Sequence, residues 1–347
     1  MDKYNKKKQR NQLASIMAKK YASQRMEKLV MQCCNWIQFL ENKDRDIHKW
    51  LNANSCGWRF CPMCAMRKAY KDALKISVVM EWIAKECNKE FIFLTLTVPN
   101  VYAVDLPATI NDLGKGWIRL LDRASIRYRV CHGYIRKLEI TYDKNITITP
   151  AMWDGTGEFK GRARAEYYQR HGLKIGDANP SYDTYHPHFH AVIAVNRSYF
   201  KSRDYISHEK WLNLWRESMR NPLITQVDIR RVKRSGHGFD VMEFAKYNAK
   251  DSDYLVNADV FDVFYSALKG RQTQTFNGLF AEGNRKFKAG ELDAYINPDL
   301  TEYMYEVFYR WRKSEYTEAD IRQLDPKKDW HLANRGVIIA PTEETPK

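Results

Sequence analysis

Two histidines that flank one aromatic residue are the part of the sequence best suited to hold a metal ion. His188 and His190 lie in the stretch 185–194, which ends in an apolar run and is predicted to be a strand. Because side chains alternate along a strand, both imidazoles project from one face and Phe189 projects from the other. A divalent ion held there needs a third ligand, and we choose Glu139, the carboxylate on the polar face of the preceding predicted strand.

The alternative role for such a histidine pair is packing. An isolated His-x-His segment more often packs in a core or on a surface than it binds metal. Here a third histidine, His186, precedes the pair, and this local density of imidazoles favours the metal site.

A tyrosine on a later predicted helix, residues 240–251, is the candidate nucleophile. The helical period places Glu243, Tyr247 and Lys250 on one face. A phenol with an ordinary pKa of about 10 needs a nearby cation or a metal-polarised phosphate to attack a phosphodiester. Lys250 would supply that charge, and Glu243 would activate water as a second nucleophile. In the alternative interpretation, Asp240 and Glu243 form a capping box and Tyr247 is an ordinary surface residue.

A cluster of cysteines near the start of the chain has the spacing of a structural zinc site. Cys56, Cys61 and Cys64 supply three thiolates, and either Cys33 or Cys34 supplies the fourth. Four thiolates leave no open coordination position, so this zinc would be structural. Buried free thiols are the alternative.

The charge balance favours a polyanionic partner. The chain has 57 Lys and Arg against 42 Asp and Glu, a formal net charge of +15. One basic stretch precedes the predicted nucleophile helix and is proposed to bind DNA; it contains Arg230, Arg231, Lys233 and Arg234. A solvated loop is an equally good interpretation of that stretch. The sequence has no apolar run of membrane-spanning length, so we expect no membrane partner and a cytoplasmic location.

The order of predicted elements gives the fold class. Strands at 91–98, 133–142, 185–194 and 224–232 enclose helices at 108–124 and 206–219. This order predicts an α+β protein with a ferredoxin-like split βαβ antiparallel sheet. The expected domains are a basic N-terminal arm (1–28), a cysteine zinc-binding module with a helix (29–88), a catalytic domain (89–290) and a helical C-terminal extension (291–347).

Three segments in the order found here resemble the motifs of plasmid rolling-circle replication initiators with a single catalytic tyrosine. They are Phe93-Leu-Thr-Leu-Thr97, His186-Pro-His-Phe-His190 and Glu243-x3-Tyr247-x2-Lys250. That family belongs to the endonucleases named for a His-hydrophobic-His metal motif. The resemblance includes Phe60-Cys-Pro-Met-Cys64 and spans roughly residues 33–287.

The resemblance implies a fold and a reaction. The fold would be that of the His-hydrophobic-His endonucleases, and the reaction a site-specific nick at a plasmid double-strand origin. Tyr247 would become linked to the 5′ phosphate and leave a free 3′ hydroxyl. His188, His190 and Glu139 would hold Mg²⁺ or Mn²⁺, and Glu243 would help water to end the cycle. Host helicase, host polymerase and a second copy of the chain are the other expected partners.

One departure from the family pattern concerns the cysteines, because the pair Cys33-Cys34 stands where one cysteine followed by glycine is expected. Other functions also stay open at this point. A single-tyrosine transposase or relaxase would use the same chemistry. A metal-dependent hydrolase of small molecules would not need Tyr247, and a non-catalytic zinc-bearing nucleic-acid binder would not need His188 or His190.

Overall fold

The computed structural model describes residues 1–159, 164–235, 238–239, 241, 251–296, 299–329, 332 and 337–338. The predicted nucleophile helix, with Glu243, Tyr247 and Lys250, lies outside the described residues. The chain forms two compact units. One comprises residues 79–233 and the described part of 246–288, and the other comprises residues 1–78 and the described parts of 234–245 and 289–347.

The described residues form helices and mainly antiparallel sheets, which confirms the α+β class. The helices are α1 (Asp2–Gln9), α2 (Asn11–Tyr21), α3 (Gln24–Gln32), α4 (Pro62–Glu86), α5 (Leu106–Leu121), α6 (Ala124–Arg127), α7 (Pro150–Asp154), α8 (Ala165–Arg170), α9 (His208–Met219), α10 (Asp251–Tyr254), α11 (Ala258–Leu268) and α12 (Gly278–Lys288). The strands are β1 (Trp36–Glu41), β2 (His48–Ala53), β3 (Lys89–Thr97), β4 (Gly133–Asp143), β5 (Thr184–Asn196), β6 (Val227–Arg231), β7 (Arg234–Ser235), β8 (Gly238–Phe239), β9 (Gln274–Asn277), β10 (Glu302–Tyr303), β11 (Tyr305–Arg312), β12 (Glu315–Gln323) and β13 (Val337–Ile338). None of the helices within the described ranges is long and apolar enough to cross a membrane.

A five-stranded sheet is the centre of the first unit. Its strand order is β6-β3-β5-β4-β9, and every neighbouring pair is antiparallel. The four strands of this sheet that come first in the chain, β3 to β6, enclose α5 and α9 in the predicted order, and their arrangement is the one expected of a split βαβ. The assignment to the His-hydrophobic-His endonuclease fold stays a prediction.

One face of this sheet is apolar and packs against α5 and α9. Trp117 of α5 meets the ring of Phe189 in β5 with centroids 6.2 Å apart. Trp215 of α9 is fully buried and donates its indole N–H to the carbonyl oxygen of Thr97, at 2.8 Å. Because successive side chains in a strand point to opposite faces, fixing Phe189 on the helix side directs His188 and His190 to the other side.

The insertion between β4 and β5, described except for residues 160–163, has its own small core of Ile148, Met152, Phe159 and Tyr168. Asp143 at the end of β4 holds the insertion in place. It accepts hydrogen bonds from Arg164 and Asn179, each at 2.9 Å. The long connection therefore leaves the pairing of β4 with β5 regular.

The second unit contains a four-stranded sheet in the order β12-β11-β1-β2. The prediction of a helical C-terminal region is wrong for its described residues, because β11 and β12 form a hairpin and β11 pairs with β1. Along β11, Val307 and Tyr309 are buried and alternate with more exposed side chains, which is the period of a strand.

The N-terminal residues form three helices, α1 to α3, where we expected a basic arm that enters a helix. Lys8 is 3% exposed and donates to the carbonyl oxygens of Met31 and Cys33, at 2.7 and 2.8 Å. At least this lysine has a structural role in the folded unit.

Candidate metal centre

The structure brings together the three ligands predicted for the catalytic metal. Glu139 of β4 lies directly opposite His188 of β5, and both imidazoles lie on the same sheet face as the carboxylate. Glu139 Oε2 is 3.0 Å from His190 Nε2 and 3.7 Å from His188 Nε2. The three ligand atoms all lie within 4.8 Å of one another.

Hydrogen bonds orient both imidazoles toward the carboxylate. Nδ1 of His188 donates to the carbonyl oxygen of His186 at 3.0 Å, which leaves Nε2 as the metal-binding atom. Nδ1 of His190 lies 3.0 Å from the Thr95 hydroxyl of the neighbouring strand β3. Since each ring has a partner on Nδ1, both Nε2 atoms are available as ligands.

The electrostatics of Glu139 suit a metal ligand. Burial by itself would raise the pKa of this carboxyl group. The hydrogen bonds and charges of His188 and His190 outweigh burial and hold the pKa well below its ordinary value. Glu139 is therefore ionised at neutral pH although it is only 8% exposed.

This donor set fits a divalent ion. Two imidazoles and one carboxylate on facing strands suit Mn²⁺ and several other divalent metals, and Mg²⁺ accepts the set less readily because it prefers oxygen. With three protein ligands, further coordination positions stay open for phosphate oxygens and water. The geometry allows Lewis-acid chemistry on a phosphodiester.

Aromatic and basic side chains border the centre. His186 stacks on His188 with ring centroids 5.0 Å apart, and burial first, then the charges of His188 and Arg164, lowers its pKa to about 3. On the other side, the ring of Phe93 lies 5.4 Å from that of His190. His186 is thus neutral near pH 7 and contributes shape rather than charge.

Of the predicted DNA-binding residues, Arg230 lies beside the metal centre. Its guanidinium sits 5.0 Å from the centroid of the Phe93 ring and forms a 2.8 Å ion pair with Asp228. Arg231 points to the opposite sheet face, where it pairs with Glu90 at 2.7 Å. Lys233 and Arg234 are exposed. The structure therefore places one of the four next to the predicted chemistry.

The cysteine cluster also assembles. The thiols of Cys33, Cys56, Cys61 and Cys64 all lie within 4.8 Å of one another. Cys34 lies outside that group, although its sulfur is 3.8 Å from Cys33 Sγ. Cys34 has a φ of 56°, a left-handed backbone that favours glycine. Cys34 thus takes the place where the family pattern has glycine, and Cys33 is the fourth thiol of the cluster.

The surroundings of the thiols fit a zinc ion. Backbone N–H groups point at the sulfurs: Gly57 donates to Cys64 Sγ at 3.3 Å, and Cys56 donates to Cys33 Sγ at 3.4 Å. Hydrogen bonds with the neighbouring thiols, chiefly with Cys33, lower the pKa of Cys64. Hydrogen bonds within the same group of thiols, again chiefly with Cys33, raise the pKa of Cys56 and of Cys61. Only a bound cation would hold all four as thiolates.

The sequence placed Thr95 in the segment Phe93-Leu-Thr-Leu-Thr97 that resembles a family motif, but it did not indicate that Thr95 contacts a metal ligand. Its role depends on the register of β3 against β5, in which Thr95 pairs with His190. Apart from that segment, the available signal was its position among apolar neighbours, since Thr95 and Thr97 alternate with Leu94 and Leu96. That pattern placed both threonines on one face without showing which histidine they would meet.

Known proteins resemble the chain over most of its length. It matches the replication protein family over residues 47–318. A "Protein rep" of Staphylococcus aureus is 39% identical over 258 residues, which are 74% of this chain and 96% of that protein. A "Protein rep" of Streptococcus pneumoniae is 29% identical over 277 residues, which are 78% of this chain and 74% of that protein. No solved structure matches. The chain belongs to the replication protein family, as its resemblance to plasmid replication initiators predicted.

Proposed function

We propose that this replication protein starts rolling-circle replication by nicking one DNA strand at the origin of its plasmid. The observation that supports the proposal is the convergence of Glu139, His188 and His190 on one sheet face, with the Arg230 guanidinium nearby. Such a centre can bind a scissile phosphate. The ordered motifs of the sequence supply the nucleophile.

The proposed reaction is a transesterification. The phenolic oxygen of Tyr247 attacks phosphorus, the bond from phosphorus to the 3′ oxygen breaks, and that oxygen leaves as a 3′ hydroxyl after it takes up a proton. The phenol proton is lost to solvent or a nearby base, and Lys250 stabilises the phenolate. A divalent ion at the centre would neutralise charge on the phosphate in the transition state.

The cycle ends when a second nucleophile is used. In the proposal, Glu243 accepts a proton from water, which attacks a second phosphodiester bond at termination. The chain therefore needs only one catalytic tyrosine. The new 3′ hydroxyl serves host polymerase, and host helicase and a second copy of the chain are the remaining proposed partners.

The other proposed components have supporting roles. Zn²⁺ held by the four-cysteine cluster would be structural, because four thiolates complete its coordination. Arg230 would bind a phosphate beside the scissile bond, and the exposed Lys233 and Arg234 would bind other phosphates of the DNA. Arg231 pairs with Glu90 on the opposite sheet face and has no role in this proposal.

The test is covalent capture on DNA. Labelled single-stranded oligonucleotides that tile the plasmid are incubated with Mn²⁺ and protein, and adducts are resolved on a denaturing gel. We expect an adduct with the wild type and none with Tyr247→Phe. Tyr128→Phe is the matched control, because Tyr128 is 74% exposed and has no proposed role.

The metal centre is tested in the same assay. Glu139→Gln keeps the size of the side chain and removes its charge, so we expect nicking to fall at least about 100-fold, in the range seen when a transition-state interaction is lost. Cleavage that survives Tyr247→Phe would mean another nucleophile. DNA binding without cleavage of any oligonucleotide would favour the non-catalytic binder. A transposase or relaxase would act on mobile-element ends or transfer origins instead.

A further inference from the structure

Helices α2 and α3 pack against each other across a short turn at the N-terminus. Only Ala22 and Ser23 separate them, and the Ser23 hydroxyl caps α3 by accepting from the backbone N–H of Met26 at 3.1 Å. The side of α2 that is buried has small residues, Ala14 and Ala18, one helical turn apart. Small side chains let the two helices approach closely.

Most of α3 faces solvent. Val30 is its only buried residue, and its other side chains are exposed or half-buried. Gln24, Arg25 and Lys28 are exposed near its N-terminal end. Helix-turn-helix proteins present their second helix to the DNA major groove in this way, with the N-terminal residues of that helix at the base edges.

The charge of the segment suits a polyanion. Residues 1–32 contain nine Lys and Arg side chains against two acidic ones, Asp2 and Glu27. Glu27 lies 3.6 Å from Lys19 in an ion pair. Of the nine basic side chains, only Lys8 is fully buried. The surface of this segment is therefore strongly positive, which favours phosphate contacts.

The segment is fixed to the cysteine cluster. Lys8 donates to the carbonyl oxygens of Met31 and Cys33, and Asn11 donates to those of Val30 and Cys33, at 3.1 and 3.4 Å. These bonds satisfy carbonyl groups at the C-terminal end of α3, which would otherwise lack partners. Since Cys33 belongs to the four-thiol cluster, a metal held there would fix the position of α3.

We infer that α3 is a docking helix for double-stranded DNA, separate from the surface that cleaves a single strand. Arg25 and Lys28 bind phosphates and base edges of the duplex, and Gln24 contacts a base. The replication protein family matches from residue 47 onward, so the match assigns no role to these helices. The inference takes DNA as the partner from the proposed function but depends on none of its catalytic residues.

The test compares two double variants that remove the same charge at the same spacing. Arg25→Ala with Lys28→Ala alters α3, whereas Arg285→Ala with Lys288→Ala alters exposed residues of α12. Binding of the full chain to labelled duplex fragments of the plasmid is measured by fluorescence anisotropy at several salt concentrations. Equal melting temperatures and zinc contents establish that both variants are folded.

We expect the α3 variant to lose at least about tenfold in duplex affinity. The slope of log K against log salt should fall by about 2, because each lost phosphate contact removes about 0.9 from it. The α12 variant should match the wild type, and both should cleave single-stranded oligonucleotides normally. Equal duplex binding by the two variants would overturn the inference. A change of oligomeric state with duplex affinity intact would also overturn it and assign the surface, with exposed Leu13 and Ile16, to a second copy.

Failure of this inference can be distinguished from failure of the proposed function. If no oligonucleotide is cleaved but the α3 variant still loses duplex affinity, the docking helix stands and the nicking proposal does not. If oligonucleotides are cleaved but the α3 variant keeps its duplex affinity, the nicking proposal stands and the docking helix does not.

Discussion

At the scale of single residues, the Thr95 hydroxyl decides how well His190 is oriented. Thr95→Val keeps the shape of the side chain and removes the partner of His190 Nδ1, which lies 3.0 Å away. We expect the affinity for Mn²⁺ to fall about 10- to 100-fold, the usual effect of losing such an outer partner. Isothermal titration of the protein with Mn²⁺ measures this change.

Thr97 offers the matched control on the same strand. Its hydroxyl donates to the carbonyl oxygen of Gln226 at 2.8 Å and is thereby directed to the backbone of a different segment. Thr97→Val should therefore leave Mn²⁺ affinity within about threefold of the wild type, since it removes no outer partner of a ligand. Equal losses in both variants would show that the Thr95 hydroxyl has no orienting role.

The sequence predicted some of these residues and not others for a physical reason. Alternation within one strand is local, so it placed His188 and His190 on a common face and Glu139 on the polar face of its own strand. Thr95 depends on the register between two strands that are far apart in the chain, and one strand's pattern does not fix that register. Tyr247, Glu243 and Lys250 lie outside the described residues, so their roles stay predictions.

Cys34 gives a second prediction at this scale. Cys34→Gly should retain one zinc per chain and lower the free energy of unfolding by no more than about 1 kcal/mol. Relief of the strained left-handed backbone offsets the larger conformational entropy of the unfolded chain and the loss of the buried sulfur. Cys33→Ser should lose the zinc. Metal analysis of the two purified variants, together with urea unfolding, distinguishes them. Loss of zinc from the Cys34 variant would make Cys34 the ligand instead.

At the scale of elements, β11 supports the four-stranded sheet from its interior position between β12 and β1. Val307 is fully buried and pairs with Phe39 of β1, which is also fully buried. Val307→Ala should lower the free energy of unfolding by about 2 kcal/mol, from lost burial and the cavity left behind. Val104→Ala, at a residue 83% exposed, should cost less than about 0.5 kcal/mol.

Thermal and urea unfolding of the two valine variants measure the difference. Similar small changes in both would mean that β11 is not packed as a core strand. The same variants test the correction to the predicted helical C-terminal region, because truncation of a valine on an exposed helix face would hardly change the free energy of unfolding.

The turn of the β11–β12 hairpin explains why the sequence did not predict this hairpin. Lys313 and Ser314 both have positive φ, 47° and 67°, as a two-residue hairpin turn of this type requires. Glycine or asparagine normally marks such a turn, and neither is present here. By contrast, β3 ends at Val98-Pro99-Asn100, a clear turn signal, and its strand was predicted to within two residues.

At the scale of the whole molecule, two centres of different chemistry should respond differently to metal removal. Four thiolates bind zinc tightly, whereas two imidazoles and one carboxylate bind a divalent ion more weakly and exchange it more readily. We expect dialysis against EDTA to abolish nicking, with full recovery on addition of Mn²⁺, while one zinc per chain stays bound.

Treatment with a thiol-binding mercurial should have the opposite pattern. It should release that zinc, which a chromophoric chelator detects, and it should lower the melting temperature by more than about 10 °C, because binding of a structural zinc contributes directly to folding. Titration of the Cys33→Ser variant provides the control, since it should release no zinc. If EDTA alone lowered the melting temperature as strongly, or if zinc release left melting unchanged, the division into one catalytic and one structural centre would be wrong.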